Sequence, residues 1–433
     1  MTERLDDEDE EFDQWWLAGT ACLPLIAEPS RWVNRQVETI EMLSHEDTRR
    51  RVSIDFTLSA HDREALKVPD GVCVPIAVLG KAARRNFDMR DEGGRAVPVL
   101  GREQNSRLAR FALLAAVADV IEPAAIPDEV FYELVAELEE LVSLPADHAG
   151  AVLESFVYRA QEGDALRAAI WDDDRCRGLL ERLWFGYIVF AVLPQVGDDR
   201  RILKFAYSER IPTEGTLLGK PDRLLQRAWG KVLHPDTKRF WLECPGAASA
   251  ASFHTEVVIP EELRAETGVL VGGPPYYRAL SSVERDVDRV SLYASEVPDA
   301  LEQVHVYVEV ATQRDWPVEQ AAATALVVAS LLWIGVLSEL RGPNPGATVS
   351  LLLGGAALYS GLAAGEGKHQ LVRQLFKARQ RWLGLVTLAA LVGSASLAFQ
   401  YPCDRPVSIW SGAAVAATIA AARLLWSWFR APR

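Results

Sequence analysis

Cysteine is scarce and scattered in this sequence of 433 residues. Its five cysteines, Cys22, Cys73, Cys176, Cys244 and Cys403, lie far apart and form no CxxC pair. A disulfide framework or a zinc ribbon would need paired cysteines at short, regular spacing. The sequence therefore predicts free, buried thiols in a reducing compartment, because an unpaired cysteine behaves as a small apolar side chain.

Catalytic and metal-binding motifs are also missing. The seven histidines form no HExxH or other close pair, and His254 and His305 would share a metal only if their strands were adjacent. No GxSxG elbow occurs, although a Ser/His/Asp triad built from distant residues stays open.

Segment 215–221 has three residues between its glycines and ends in proline, unlike a phosphate-binding loop. The acidic run 171–175 is better explained as a helix cap than as a metal site. We expect no metal ion, no cofactor and no catalytic residue.

The N-terminus lacks the pattern of an export signal. Residues 1–14 are strongly acidic, whereas a signal peptide carries positive charge before its apolar core. The apolar segment that follows is short and interrupted by Pro24. We expect residues 1–14 to form an acidic, disordered tail.

Charged residues are nearly absent from four long runs after Trp316. The runs are 320–338, 347–365, 382–400 and 407–422, the last continuing beyond Arg423. Each can cross roughly 30 Å of hydrocarbon at about 1.5 Å per helical residue. Helices of a soluble bundle would each carry a polar stripe. The runs therefore predict a transmembrane domain of four helices.

Basic residues predict which side of the bilayer the head occupies. The loop at 366–381 carries five basic residues, whereas the loop after the first run carries Arg341 alone. The positive-inside rule places the basic loop and the C-terminus in the cytoplasm. Four crossings then place the N-terminal head there too, so we expect a multi-pass protein of the cell membrane with both termini cytoplasmic.

The charge of the chain divides at the same boundary. Residues 317–433 carry 10 basic and four acidic side chains, so the net charge of −14 for the chain corresponds to −20 for the head. An acidic head repels nucleic acid, and we expect no nucleic-acid partner. Within the spans, ionisable residues lie near the ends (Glu319, Glu339 and Arg423), which argues against a proton pump or an ion-coupled transporter.

Small residues share one face of the second predicted span. They recur every three or four positions, and they are Ser350, Gly354, Ala357, Gly361 and Gly365. Small side chains let helix backbones approach closely in a bilayer. This face predicts either packing within the four-helix bundle or a contact in a homo-oligomer.

The head alternates between strand and helix patterns. Apolar alternation predicts strands at 37–43, 52–58 and 72–79, then helices over 102–183, then strands again, with a hairpin across QVGDD. We predict an α+β fold, with a mostly antiparallel β head that contains a helical insertion, followed by an all-α four-helix transmembrane domain. The predicted parts are an acidic tail (1–14), a first β-rich part (15–101), the helical insertion (102–183), a second β-rich part (184–316) and the transmembrane domain (317–433).

The segment NFDMRDEGGRAVPVLGREQNSRLA (86–109) interleaves charge, glycine and short apolar runs. NFDMR and RAVPVL flank DEGG, which is typical of a β-hairpin. Asp88, Arg90, Asp91 and Arg95 would then surround the turn. This cluster is either a solvated hairpin or a contact for a ligand or partner, because an active site would need a nucleophile or a positioned acid or base.

Several segments together carry a resemblance to a family. RRRVSIDFTL, the stretch from VPIAVLG to QNSRLA, RRILKFAYS, SFHTEVVIP and the four C-terminal spans resemble a group of uncharacterised actinobacterial membrane proteins. The resemblance covers most of the chain and implies a cytoplasmic N-terminal head on four transmembrane helices. It implies no activity and no functional residue.

Three classes of function stay open. In the first, the protein is a non-catalytic membrane sensor or scaffold whose head binds a protein or small ligand. The second is a pore or channel that the head controls, and the third is a membrane-tethered enzyme. We favour the first because catalytic motifs are missing and because only residues 312–317 separate the last predicted strand from the first span.

Overall fold

A computed structural model gives the fold of the chain. It describes residues 2–44, 46–68, 70–81, 85–122, 126–194, 200–210, 237–247, 250–261, 263–272, 282–285, 289–294, 304–312, 316–339, 380–393 and 406–430. The second predicted span and its small residues Ser350, Gly354, Ala357, Gly361 and Gly365 lie outside these ranges, as do Cys403 and segment 215–221.

The largest sheet of the head contains seven strands. They are β1 (Val33–Met42), β2 (Asp47–Phe56), β5 (Arg85–Asp91), β7 (Arg201–Arg210), β9 (Phe253–Val258), β11 (Ser282–Arg285) and β12 (Arg289–Ala294). Their order is β11-β12-β9-β1-β2-β7-β5. The β1–β9 pair is parallel, and the other neighbours are antiparallel. Both predicted β-rich parts therefore contribute strands to one sheet, and the prediction of a mostly antiparallel α+β head is confirmed.

Two sheets of three strands pack against one face of the large sheet. The first has β4 (Gly71–Gly80) between β3 (Lys67–Val68) and β6 (Gly186–Leu193). The second has β13 (Val304–Thr312) between β8 (Thr237–Glu243) and β10 (Leu263–Gly272). The alternate valines of β13 are fully buried, as the period of two predicts.

The inner face of the large sheet serves two separate hydrophobic cores. Val52, Ile54 and Phe205 belong to the core formed with β4, β6 and the helices. Ile40 and Val257 belong to the core formed with β8, β10 and β13. β1 and β2 lie where the two cores meet, so the side chains on their inner face lie at or beside this boundary.

Seven helices are described in the head. They are α1 (Thr2–Ala27), α2 (Ala60–Ala65), α3 (Arg102–Val120), α4 (Asp128–Ser143), α5 (Ala146–Gln161), α6 (Ala165–Asp172) and α7 (Asp174–Phe185). Helices α3 to α7 occupy the range that the sequence predicts to be helical. α1, α3 and α7 contact the sheet of β3, β4 and β6, so this sheet lies between the helices and the large sheet.

Helix α1 corrects one prediction for the N-terminus. Residues 2–14 form the first part of this helix, not a disordered tail. Its second part is anchored in the core of the head, where Trp15 and Cys22 are buried. Gly19 lies so close to α3 that an added Cβ would come within 2.4 Å of Phe111. The apolar segment from Trp15 is therefore a core element, and its neighbours explain its composition.

Two predicted hairpins also differ from the structure. The QVGDD hairpin is wrong, because β6 pairs with β4 whereas β7 pairs with β2 and β5 in the large sheet. Around DEGG the turn forms, but residues 95–100 are not a regular strand. They make single bridges, from Ala96 to Arg90 and from Val99 to Ala191. This segment thus crosses from the large sheet to β6.

The C-terminal part contains three described helices: α8 (Trp316–Glu339), α9 (Gln380–Gly393) and α10 (Pro406–Arg430). Of the described helices, α8 and α10 are long and apolar enough to cross a membrane, over Glu319–Leu337 and Ile409–Trp426. The third predicted span is described only as α9, which is shorter. The structure thus describes two candidate spans of the predicted four.

Helices α8 and α10 pack against each other through small residues. An added Cβ on Gly335, late in α8, would come within 2.0 Å of the Trp410 ring, early in α10, so the helices are antiparallel. The indole N–H of Trp333 donates a hydrogen bond to the Thr418 hydroxyl (2.9 Å). The buried alanines of this contact are Ala321, Ala322, Ala325, Ala329, Ala413, Ala414, Ala417, Ala420 and Ala421.

A buried arginine holds the helical part of the head together. The Arg167 side chain on α6 is 1% exposed. It donates hydrogen bonds to Glu137 on α4 (2.9 Å from Nε) and to Asp164 (2.6 Å from Nη1), and its guanidinium lies 5.8 Å from the centre of the Phe156 ring on α5. The guanidinium therefore links three helices at a point closed to solvent.

We expect Arg167→Ala to lower the free energy of unfolding by about 3–5 kcal/mol, because it leaves two largely buried carboxylates without their partner. Arg175→Ala is the matched control, since Arg175 is 40% exposed and pairs with Asp119 at 2.7 Å, outside the Arg167 cluster. The control should change stability by no more than about 1 kcal/mol. Denaturant unfolding of the full chain in detergent, followed by circular dichroism, measures both. Equal losses would contradict a special role for Arg167.

Candidate functional site

The charged cluster at the DEGG turn pairs internally. The carboxylate of Asp91 accepts a hydrogen bond from the Arg95 backbone N–H (2.9 Å) and a second from Arg95 Nε (2.7 Å). These bonds hold the pKa of Asp91 below its ordinary value, the backbone bond having the larger effect. Arg90 Nε donates to Asp88 (2.8 Å). All four predicted residues thus belong to a solvated turn, and a contact with a ligand or partner stays a prediction.

The other candidates from the sequence do not converge. His254 lies on β9 of the large sheet, whereas His305 lies on β13 of another sheet, where it packs against Trp241. Asp173 caps α7 by accepting a hydrogen bond from the Cys176 backbone N–H (2.8 Å), as predicted for the acidic run. Among the described residues, no group of three or more His, Cys, Asp or Glu side chains is arranged to hold a metal ion.

A buried ion cluster that the sequence analysis missed lies inside the large sheet. Arg50 on β2 donates a hydrogen bond from Nη1 to Oε1 of Glu38 on β1 (2.5 Å) and another from Nε to Glu209 on β7. The side chains of Arg50, Glu38 and Glu209 are 3%, 2% and 12% exposed. Burying three charges is costly unless they satisfy one another, so this cluster is the least ordinary feature of the core.

Strand register brings the three charged residues together. Glu38 lies opposite Val52, Arg50 lies opposite Tyr207, and both pairs point to the inner face. A sequence signal existed, because the alternation that buries Ile40 and Val52 also places Glu38 and Arg50 inside. Glu38 lies within the predicted strand 37–43, whereas Arg50 precedes the predicted strand 52–58 by two residues, so its inward position follows only when the alternation is extended by one step.

The surroundings of Glu38 favour its protonated form. Burial raises its pKa, and the positive charge of Arg50 only partly opposes this effect. The negative charge of Glu209 adds to the increase, whereas a weak interaction with the Cys244 thiol acts in the opposite direction. Burial also raises the pKa of Cys244 well above its ordinary value, so this thiol is not a nucleophile at neutral pH.

A small cavity lies beside the ion cluster, where all three sheets approach. It has a volume of ≈ 30 Å³ and is lined by Glu38 and Gln36 of β1, Val52 of β2, Phe205 and Tyr207 of β7, residues 76–79 of β4, and Pro245–Gly246 after β8. The register of β4 shifts between Pro75 and Ala77, which marks a β-bulge at the cavity wall. The volume suits water-sized molecules and excludes an organic substrate.

A second perturbed group lies at the end of β4. Lys81 Nζ donates to the Leu141 carbonyl (2.6 Å), and Arg102 donates to the Ser143 carbonyl (2.8 Å). Burial, with the nearby charge of Arg102, lowers the pKa of Lys81 to about 8. Both cations satisfy carbonyl groups at the C-terminal end of α4, which explains their positions structurally.

Comparison with known proteins adds no functional assignment. No protein-family model matches the sequence, and no curated protein is significantly similar to it. The buried cluster and its cavity are therefore interpreted from their own chemistry. Arg50 stays protonated, Glu38 can hold or release a proton, and the space beside them admits only very small molecules.

We expect the free energy of unfolding to depend on pH through Glu38. Its pKa is higher in the folded chain than the unfolded value of about 4.3, so the folded state binds more protons as pH rises from there to the folded pKa. The stabilising contribution is complete below the unfolded pKa and is lost across this window. Glu38→Gln should lack this loss, so its stability relative to wild type should increase with pH.

Unfolding of the full chain in detergent at a series of pH values measures this effect. Glu41→Gln is the control, because Glu41 lies on the same strand but is 37% exposed and pairs with Arg51. A Glu38→Gln curve parallel to that of wild type at every pH would show that Glu38 does not titrate abnormally.

Proposed function

We propose that this is an integral membrane protein with a non-catalytic cytoplasmic head that binds a protein or small ligand, as a sensor or a scaffold. We also propose that the chain crosses the membrane four times and that both termini are cytoplasmic, as in the actinobacterial membrane proteins that the sequence resembles. In this proposal the C-terminal helices lie in the lipid bilayer, and the surface of the head binds the protein or small ligand.

The exposed apolar surface of α8 and α10 carries the membrane part of this proposal. Alanines and a few large side chains (Leu332, Trp410 and Leu424) are buried in the cluster that these helices form, whereas many other large apolar side chains of the two helices are exposed. The exposed large side chains are Leu326, Val327, Trp333, Ile334, Leu337, Ile409, Val415, Ile419, Trp426 and Phe429. In water this arrangement would leave a large apolar surface exposed, but in lipid it is favourable, because helices there associate through small residues.

The antiparallel packing of α8 and α10 supports the proposed orientation. The start of α8 and the end of α10 lie on the same side of the pair, as an even number of crossings requires. The basic loop at 366–381 and the C-terminal arginines favour the cytoplasm for that side. The four-span count rests on the charge-free runs of the sequence.

The junction between head and membrane supports a sensor. β13 ends at Thr312 and α8 begins at Trp316, so three residues separate a central strand from the helix that contains the candidate span Glu319–Leu337. β13 has β8 on one side and β10 on the other. A change in the packing of this sheet would therefore be transmitted to α8 with little loss in a linker.

The buried ion cluster does not supply the proposed binding surface of the head. Its ion cluster is closed to solvent, and the cavity beside it is too small for an organic substrate. A pore controlled by the head and a membrane-tethered enzyme stay predictions from the sequence. No observation on the described residues favours either of them over a sensor or scaffold.

The proposed topology predicts the behaviour of two reporters. A C-terminal green fluorescent protein should fluoresce, a C-terminal alkaline phosphatase should be inactive, and the same holds for N-terminal fusions, because all four would lie in the cytoplasm. The chain should also stay in the membrane after an alkaline carbonate wash. Phosphatase activity at either end, or release by carbonate, would contradict the proposal.

Packing of α8 against α10 can be tested with matched glycines. Gly335→Leu should lower the free energy of unfolding in denaturing detergent by about 1–3 kcal/mol, because the new side chain would clash with the Trp410 ring. Gly412→Leu on α10 is the control, since an added Cβ there meets nothing within 4 Å. The measurement is a titration with dodecyl sulfate followed by circular dichroism. Equal effects of the two substitutions would argue against the described helix pair.

A further inference from the structure

The cavity beside the ion cluster contains an unsatisfied acceptor. Oε1 of Glu38 accepts the hydrogen bond from Arg50, whereas Oε2 is buried and has no partner among the described residues. Glu38 is one of the residues that line the cavity. A buried carboxylate oxygen without a partner costs about 1–3 kcal/mol or more, so a partner that fits the cavity would be stabilising.

Size restricts what this partner can be. A cavity needs about 10–15 Å³ to hold one water molecule, and this cavity has ≈ 30 Å³. Its wall also offers the Gln36 side chain, which packs so tightly on Gly246 that an added Cβ would come within 1.9 Å of the amide nitrogen. The polar wall and the small volume fit a molecule with one non-hydrogen atom.

Charge restricts the partner further. When Glu38 is ionised, its Oε2 can accept a hydrogen bond from a small cation as well as from water. If Glu38 is protonated, a water molecule is enough to complete its hydrogen bonds.

We infer that the cavity is a binding site for one small hydrogen-bonding molecule, either water or an ammonium ion, held by Oε2 of Glu38. The site lies where the two cores meet and is bounded by Pro245–Gly246 of the segment after β8. This inference concerns the head alone, and it holds or fails independently of the membrane topology.

Two neighbouring side chains offer competing explanations. The Cys244 thiol already interacts with the Glu38 side chain. Thr255 lies opposite Glu38 on β9, is fully buried, and its hydroxyl also has no partner among the described residues. A change of rotamer would let this hydroxyl donate to Oε2 and leave the cavity dry. An experimental map that resolves ordered water distinguishes the two, because a peak within hydrogen-bond distance of Oε2 supports the site. An empty cavity with Thr255 bonded to Glu38 would overturn it.

Solution measurements on the full chain in detergent give an independent test of occupancy. Val52→Ile adds one methylene at the cavity, beside Glu38. If the cavity is occupied, this substitution should lower the melting temperature in wild type, because it displaces the bound molecule. In a Glu38→Leu background it should be neutral or stabilising. A higher melting temperature for Val52→Ile alone would mean that the cavity is dry, and it would overturn the inference even if Glu38→Leu does not fold.

Melting temperatures in ammonium chloride and in potassium chloride at equal ionic strength distinguish bound ammonium from bound water. Bound ammonium should raise the melting temperature by about 2 °C or more in wild type. Ammonium chloride should not change the melting temperature of Glu38→Gln relative to potassium chloride, because an amide replaces the anionic acceptor there. The same melting temperature in both salts, together with an occupied cavity, identifies water. A salt effect that persists in Glu38→Gln would show that ammonium does not act at this site.

Discussion

Arg50 is the contact around which the large sheet is arranged. Its guanidinium joins β1 to β7 through β2, at the place where the inner face of the sheet passes from one hydrophobic core to the other. Apolar packing has no directional preference, so two cores on one face could slide relative to each other. Arg50 bonds one carboxylate on each neighbouring strand, so a shift of either strand by one residue would leave buried charges unpaired. The cavity beside it follows from the same geometry, because charged side chains and a β-bulge do not close as tightly as aliphatic ones.

The C-terminal helices expose more large apolar side chains than the head does. In the head most large apolar side chains are buried, whereas α8 and α10 bury alanines beside Leu332, Trp410 and Leu424 and leave many other leucine, isoleucine and tryptophan side chains exposed. The two parts of the chain are joined by the three residues between β13 and α8. The central strand of one sheet of the head is thus followed closely by a helix that is long and apolar enough to cross a membrane.

The sequence predicts local structure well and long-range pairing poorly. The alternation in 37–43, 52–58 and 72–79 corresponds to β1, β2 and β4, and the helical pattern of 102–183 corresponds to α3 to α7. The QVGDD hairpin is wrong because a turn between two strands does not reveal that each joins a different sheet. For the site, the position of Glu38 and Arg50 inside the sheet is visible in the alternation, but Glu209 and Cys244 arrive there only through distant strand pairing.

The pairing of β1 with β9 has a consequence for the order of events during synthesis. Gln36 pairs with Phe253, so the strand made first has an unpaired edge until most of the head has left the ribosome. Such distant pairing is slow and leaves strand edges and apolar faces open to wrong partners. The candidate spans follow shortly afterwards, at Trp316. The large sheet can therefore close only after β9 has been made, when more than half of the chain has left the ribosome.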